Sequence, residues 1–109
     1  MVLKTEQFES QDGFESFLLR HEKKLNPIEI LQHEYDHHYV ALALGYNVVY
    51  QVDFDLRKDG SIHPIMYSIR FLNRIPGLRD LMTIALAPKC PGPRDLEMVE
   101  EARWELYPK

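Results

Sequence analysis

The sequence predicts an α+β fold, mainly helical, with one β-hairpin. Two neighbouring stretches alternate apolar and polar residues as strands do, and one capped stretch before them is periodic like a helix. Further apolar residues recur at helical spacing on both sides of these stretches. With 109 residues, 45% of them hydrophobic and 28% charged, the chain has the composition of an ordinary globular protein, and we expect one domain spanning residues 1–109.

The beginning of the chain is predicted to hold an arm and a short helix. Residues 1–12 are polar apart from scattered apolar positions such as Phe8, and we expect them to form a loosely held arm. Residues 14–24 follow Gly13 and have the spacing of an amphipathic helix. The predicted inward-facing side chains are Phe14, Phe17, Leu18 and Leu25.

A well-capped helix is predicted over residues 27–44. Asn26 is a favourable N-cap and Pro27 suits the first helical position, while Glu29 lies three residues after the cap, as in a capping box. Gly45 follows the last periodic apolar residue, where a left-handed residue ends many helices. These local signals fix both ends of the helix.

This helix carries apolar residues on two sides. One broad face holds Ile30, His33, His37, Val40, Ala41 and Leu44. A second stripe, roughly opposite, holds Leu31, Tyr35 and Leu42. A helix that is apolar on both sides is usually packed between two layers, so we expect the histidines to lie in a partly dry cleft.

The hairpin is predicted from two stretches in which apolar and polar residues alternate strictly. The apolar face of the first strand comprises Val48, Tyr50, Val52, Phe54 and Leu56, and that of the second, over residues 62–71, comprises Ile65, Tyr67, Ile69 and Phe71. Asp59 and Gly60 form the turn between them. Because Pro64 cannot donate a backbone hydrogen bond, the second strand should have a free edge.

Two further helices are predicted after the hairpin. Residues 78–87 are strongly apolar, and Pro93 opens a last helix that runs to about residue 107. The inward stripe of the last helix contains Leu96, Val99, Arg103 and Trp104. We expect Trp104 to pack in the core.

Charge and cysteine content exclude several classes of function. The net charge of −4 and the lack of a basic stripe argue against nucleic-acid binding. The single cysteine, Cys90, cannot form an intramolecular disulfide and has no nearby base to activate it. No apolar run approaches the length of a membrane span, and the first residues lack a signal-peptide core, so we expect a cytoplasmic protein.

The chemistry-bearing motif is an H-E-x-x-H pattern within the capped helix, formed by His33, Glu34 and His37. Histidines four residues apart lie on one helix face and can bind the same zinc ion, and the glutamate is then placed to take a proton from a zinc-bound water. The alternative is a helix that carries two histidines by chance. His38 points about 140° away from His33 and cannot share that metal, so we interpret it as polar or partner-facing.

A catalytic zinc site needs a third protein ligand. Asp95, in the first turn of the last helix, is the leading candidate, although an acid in a first turn is also common without metal because the helix N-terminus favours it. The other candidates are Glu97, Glu100 and Glu101 on the same helix and His63 on the hairpin.

Residues 32–46 resemble the H-E-A-G-H helix of the peptidase domain of FtsH-type ATP-dependent zinc metalloproteases. The resemblance extends over about residues 30–102, because residues 81–88 resemble the penultimate helix of those domains and Arg94-Asp95-Leu96-Glu97 resembles their ligand-bearing helix start. It implies a zincin-like domain that stands alone, with zinc ligands His33, His37 and Asp95. It also implies that Glu34 is the general base.

The sequence departs from this family in several places. Tyr35 and Asp36 replace the Ala-Gly pair, and Asp36 is placed to hydrogen-bond a ligand imidazole or to add negative charge near the metal. The segment between the last two helices is shorter. The sequence contains no ATPase module and no membrane anchor, so we expect substrates to arrive already unfolded.

Two functions follow as hypotheses. The first is a zinc-dependent metallopeptidase that hydrolyses peptide bonds through a zinc-activated water, with an unfolded peptide bound along the free hairpin edge. The second is a catalytically inactive zinc-binding interaction or regulatory module that contacts a partner protein through Tyr39, His38 and the edge strand. A domain that binds no metal remains a third hypothesis.

Overall fold

A computed structural model describes residues 2–72, 74–89 and 91–106, and these form an α+β fold with four helices and a three-stranded antiparallel sheet. The elements in chain order are β1 (Val2–Phe8), α1 (Gln11–His21), α2 (Pro27–Ala43), β2 (Val48–Leu56), β3 (Ile62–Phe71), α3 (Leu78–Ala85) and α4 (Pro93–Leu106). Cys90 and Tyr107, about which the sequence made predictions, lie outside the described residues. No helix in the described part of the chain is long and apolar enough to cross a membrane.

The sheet has the order β1-β2-β3, so the predicted hairpin is extended by a strand from the beginning of the chain. β1 pairs antiparallel with β2 from Val2 opposite Leu56 to Phe8 opposite Tyr50, and the expectation of a loose arm over residues 1–12 is therefore wrong. Six of the seven β1 residues are exposed. Because backbone pairing rather than burial holds this strand, its polar sequence does not reveal it.

Helix α1 begins three residues earlier than predicted. The Ser10 hydroxyl accepts a hydrogen bond from the backbone N–H of Gly13 at 3.1 Å, which caps the helix at its N-terminus. The inward-facing residues Phe14, Phe17 and Leu18 are buried, as predicted. The helix ends at His21, and Leu25 beyond it is 62% exposed rather than inward-facing.

Helix α2 confirms the predicted bounds to within one residue. The Asn26 side chain accepts hydrogen bonds from two backbone N–H groups of the first turn, and Gly45 has φ 91°, the left-handed conformation expected after the helix end. One face is buried, consisting of Leu31, Glu34, His37 and Ala41. The predicted burial on two sides is wrong, because of the second stripe Leu31 alone is buried, while Tyr35 is half-buried and Leu42 is 49% exposed.

Strands β2 and β3 are joined by the predicted turn at Asp59 and Gly60, and Gly60 has φ 86°. β2 is the central and most buried strand. A register shift between Asp53 and Phe54 interrupts the pairing with β3. The predicted apolar face of β3 holds from Tyr67 onward, but Ile65, beside the irregularity, is 61% exposed.

The core lies between the sheet and the first two helices and continues beneath α3. One cluster joins Phe14, Phe17, Leu18, Leu31, Tyr50, Val52 and Phe54. A second joins Ala41, Tyr46, Val48 and Ile84, and so couples α2 and the sheet to α3. Helix α4 packs against α3. The prediction that Trp104 packs in the core is wrong, since its side chain is 51% exposed.

Candidate metal centre

The histidines of α2 and Asp95 of α4 come together although 62 positions separate His33 from Asp95. Nε2 of His33 lies 3.1 Å from Oδ2 of Asp95, and Nε2 of His37 lies 3.3 Å from Oδ1 of the same carboxylate. One ligand atom from each of the three side chains falls within 4.8 Å of the others. This group can hold a metal ion.

The spacing of His33 and His37 along α2 explains why the two imidazoles lie side by side. Four residues advance an α-helix by slightly more than one turn, so His33 and His37 project side by side, with ring centroids 4.9 Å apart. His37 is deeper, with its side chain 7% exposed against 29% for His33. One ligand is therefore anchored in the interior and the other borders solvent.

Asp95 is positioned by the start of α4. Its Oδ2 accepts a hydrogen bond at 2.8 Å from the backbone N–H of Gly92, and the first turn of a helix favours a negative charge. Burial alone raises the pKa of Asp95, but hydrogen bonds from His33, from His37 and from the Gly92 N–H outweigh it. The pKa of Asp95 is consequently well below its ordinary value, and the carboxylate is ionised.

His37 is oriented from its other ring nitrogen. Nδ1 lies 2.7 Å from the backbone carbonyl oxygen of Ile84 in α3 and donates a hydrogen bond to it, so Nε2, which faces Asp95, is the nitrogen that could bind a metal once it has lost its proton. Burial alone lowers the pKa of His37, but the bonds to Asp95 and Ile84 outweigh it and leave the pKa raised. Sequence reasoning missed Ile84, because any residue type can supply a backbone carbonyl.

Glu34 lies on the buried face of α2 beside the two histidines and is 6% exposed. Burial raises the pKa of Glu34, and the nearby His37 and His33 partly offset this effect. A carboxylate whose pKa is raised by burial is a stronger proton acceptor than an exposed carboxylate, which is the property a general base needs.

The other candidate ligands lie outside the group. Glu97 and Glu101 line the adjoining cavity, whereas Glu100 does not. His63 lies on the hairpin, where Nε2 is 3.0 Å from the Ser61 hydroxyl. Among the residues that the structure describes, His33, His37 and Asp95 form the one set of three metal-ligating side chains.

The structure gives Asp36 and His38 surroundings that differ from those expected from the sequence. Asp36 accepts a hydrogen bond from the Gln32 side chain at 2.8 Å, one turn earlier on the exposed surface of α2. His38 is half-buried, with Nδ1 2.9 Å from the Tyr50 hydroxyl, so it faces the sheet rather than a partner. As predicted, the side chain of His38 points away from His33, and His38 does not belong to the group formed by His33, His37 and Asp95.

The three side chains border a cavity of about 530 Å³. One wall is the stretch of β3 from Tyr67 to Phe71, and the other walls come from α3 and α4 through residues such as Leu81, Ile84 and Met98. β3 pairs with β2 on one side only within the described strands, so it is an edge strand, as Pro64 predicts. Residues of this edge strand thus line the cavity that His33, His37 and Asp95 border.

Comparison of the sequence with protein-family models, with curated proteins and with solved structures finds no match.

Proposed function

We propose that this chain is a zinc-dependent metallopeptidase with the same kinds of zinc ligand and general base as the FtsH-type peptidase domain. The observation that carries the proposal is the convergence of His33, His37 and Asp95 next to buried Glu34, at a cavity lined in part by β3. Two imidazoles, one carboxylate ligand and one further carboxylate as base are the set that a zinc peptidase requires.

The donor atoms suit zinc. One carboxylate oxygen of Asp95 lies 3.1 Å from Nε2 of His33 and the other lies 3.3 Å from Nε2 of His37, so both imidazoles and the carboxylate are within reach of one ion. Nitrogen donors combined with one carboxylate oxygen favour zinc over magnesium or calcium, which prefer oxygen alone.

The protein's own groups would divide the chemistry as follows. His33, His37 and Asp95 would hold the ion, which supplies Lewis-acid chemistry by acidifying water and polarising the scissile carbonyl. Glu34 would accept a proton from the attacking water and pass it to the leaving amine. The cavity walls from Leu81 and Ile84 would limit access of bulk water to these groups.

An unfolded peptide would enter along β3. An edge strand offers unpaired backbone groups to an extended peptide, which can add to the sheet as a further strand. Residues Tyr67–Phe71 of β3 line the cavity beside His33 and Glu34, so a peptide paired there would pass close to the metal-ligating group. Because this pairing uses backbone groups, peptides of many different sequences would be able to bind.

The second candidate function is a zinc-binding interaction module without turnover. It is favoured by an apolar stripe on the outer face of α2, formed by Ile28, Tyr35, Tyr39 and Leu42, most of which is exposed. The rings of Tyr35 and Tyr39 lie 6.2 Å apart within it. Exposed aromatic residues on a helix are common at protein contacts.

Hydrolysis of an unfolded substrate separates the two functions. Zinc-loaded wild-type protein is incubated with a fluorescence-quenched casein, beside Glu34→Gln and the control Glu97→Gln, which alters a carboxylate that lines the same cavity. If the chain is a peptidase, wild type and Glu97→Gln should cleave the casein at similar rates. The cleavage rate of Glu34→Gln should be lower by about 100-fold or more. Absence of cleavage by the zinc-loaded wild type would leave the interaction module, and equal cleavage by Glu34→Gln would contradict the mechanism.

A further inference from the structure

The outer edge of β1 is open. The sheet order gives β1 a partner strand on one side only within the described chain, and β1 also contacts α1, where Phe8 packs against Phe14 and Phe17. Val2 and Leu3 are 51% and 70% exposed. A regular edge strand without proline or bulge is a template for pairing with another strand.

We propose that a second copy of this chain pairs antiparallel with the outer edge of β1, with the two Thr5 residues opposite each other at a two-fold axis. The two sheets would then form one sheet of six strands. This inference is independent of the proposed function, because the cavity beside His33, His37 and Asp95 is lined by β3, at the other edge of the sheet, and by no residue of β1.

The geometry of antiparallel pairing restricts the registers. Two opposed residues must both belong to a hydrogen-bonded pair or both to a non-hydrogen-bonded pair, and these two kinds alternate along a strand. Neighbouring residues i and i+1 belong to pairs of different kinds, so residue i cannot face residue i+1 of the second copy. In a pair related by a two-fold axis, one residue must therefore lie at the axis and face its own copy.

Charge then selects the residue at the axis. With Lys4 or Glu6 at the axis, two like charges would be opposed, which is destabilising. With Thr5 at the axis, Lys4 faces the partner's Glu6, and the same opposite-charge pair recurs on the other side of the axis. Lys4 and Glu6 are both exposed and face the same side of the sheet, as this pairing requires.

Strand length favours the same register. β1 runs from Val2 to Phe8, and Thr5 is its midpoint. Pairing about Thr5 therefore uses all seven residues of both strands, with Val2 opposite the partner's Phe8. Any other centre would leave part of each strand unpaired. Charge and overlap thus point to one arrangement.

The test is association of charge variants, measured by sedimentation velocity over a range of concentrations. Lys4→Glu would oppose acidic side chains in the dimer and Glu6→Lys would oppose basic ones, so each variant alone should dimerise about tenfold or more weakly than wild type. An equimolar mixture should recover dimer, because the first variant presents two acidic side chains to two basic ones of the second. Lys58→Glu and Glu105→Lys, which make the same charge changes at other exposed positions, serve as controls.

The expected result is a wild-type dimer, two weakened variants, a recovered mixture and controls equal to wild type. Thermal unfolding of each variant verifies that it is folded. A wild-type protein that stays monomeric to about 1 mM would overturn the proposal. A dimer that neither variant weakens, or variants that fail to recover dimer on mixing, would also overturn it. Zinc content should be the same in all five proteins, so the outcome is separate from that of the metal site.

Discussion

His37 donates a hydrogen bond from Nδ1 to the backbone carbonyl oxygen of Ile84, 2.7 Å away, and this contact ties the motif helix to α3. It makes Nε2 of the imidazole the nitrogen that faces Asp95. Ile84 itself is buried in the cluster that contains Ala41, Tyr46 and Val48. The orientation of His37, a candidate metal ligand, therefore depends on the packing of the core.

The first prediction concerns the tautomer of His37. In zinc-bound protein His37 should carry its proton on Nδ1, because Nδ1 donates to Ile84 and Nε2 binds the metal. Long-range ¹H–¹⁵N correlation spectra distinguish the two ring nitrogens by their chemical shifts. A zinc-bound His37 protonated on Nε2 would contradict the site geometry.

The second prediction identifies the third ligand. Asp95→Asn should weaken zinc binding by at least about 100-fold, because it removes the charged oxygen donors that face both histidines. Glu97→Gln and Glu101→Gln should bind zinc like wild type, since both lie in the cavity but outside the metal-ligating group. Competition with a chromophoric chelator measures the affinities. A loss of affinity in Glu97→Gln or Glu101→Gln equal to that in Asp95→Asn would assign the ligand differently.

The third prediction concerns the stability of metal-free Glu34→Gln. Burial raises the folded-state pKa of Glu34 above its ordinary value of 4.5, so ionised Glu34 destabilises the fold as pH rises from 4.5 through the folded-state pKa. In chelator at neutral pH, Glu34→Gln should therefore unfold at a higher temperature than wild type. The difference should shrink towards pH 4.5. A variant that is less stable than wild type at neutral pH would contradict this interpretation.

The fourth prediction is that zinc reverses the pH dependence of stability. Without metal, the raised pKa of His37 means that its contribution is fully present below pH 6.5 and is lost as pH rises through the folded-state value. With zinc, protons compete for the imidazoles, so stability should increase as pH rises from about 5 to 7. In zinc the unfolding temperature should rise with pH from about 5 to 7, whereas in chelator the contribution of His37 should stay level up to pH 6.5 and fall above it. Parallel curves would show that His37 does not contact the metal.

The fifth prediction tests how the motif helix ends. Gly45 has φ 91°, a conformation that costs a residue with a Cβ atom about 1–2 kcal/mol. Gly45→Ala should lower the free energy of unfolding by about that amount, whereas Gly45→Asn should lower it less because asparagine tolerates the left-handed region. Urea unfolding of both variants measures the difference. Equal stability of Gly45→Ala and wild type would show that the helix end can relax.

The sequence anticipates the parts of this structure that depend on neighbouring residues. The bounds of α2 follow from Asn26, Pro27 and Gly45, which act within one turn of the helix ends. The hairpin follows from alternation and from its Asp-Gly turn. The conjunction of two histidines four residues apart and an acid after a Pro-Gly-Pro loop singled out the group that the structure brings together.

The parts that the sequence does not reveal depend on distant contacts. β1 mixes polar residues with Val2, Leu3 and Phe8 and joins the sheet through backbone pairing with β2, a contact across about fifty residues that leaves no periodic signal. The exposure of Ile65 follows from a register shift, which alternation alone does not locate. Trp104 lies outside the core because α4 packs against α3 through buried residues such as Val99 and Ala102.

Zinc binding by this chain is tested most directly by its zinc content, measured by elemental analysis of tag-free protein purified without added metal. We expect close to one zinc per chain in wild type and little in His37→Ala, which removes the buried candidate ligand. His38→Ala is the matched control, because its imidazole faces Tyr50 and should leave the zinc content unchanged. A wild-type protein that contains no zinc and takes up none on titration, or equal zinc in wild type and His37→Ala, would contradict the account.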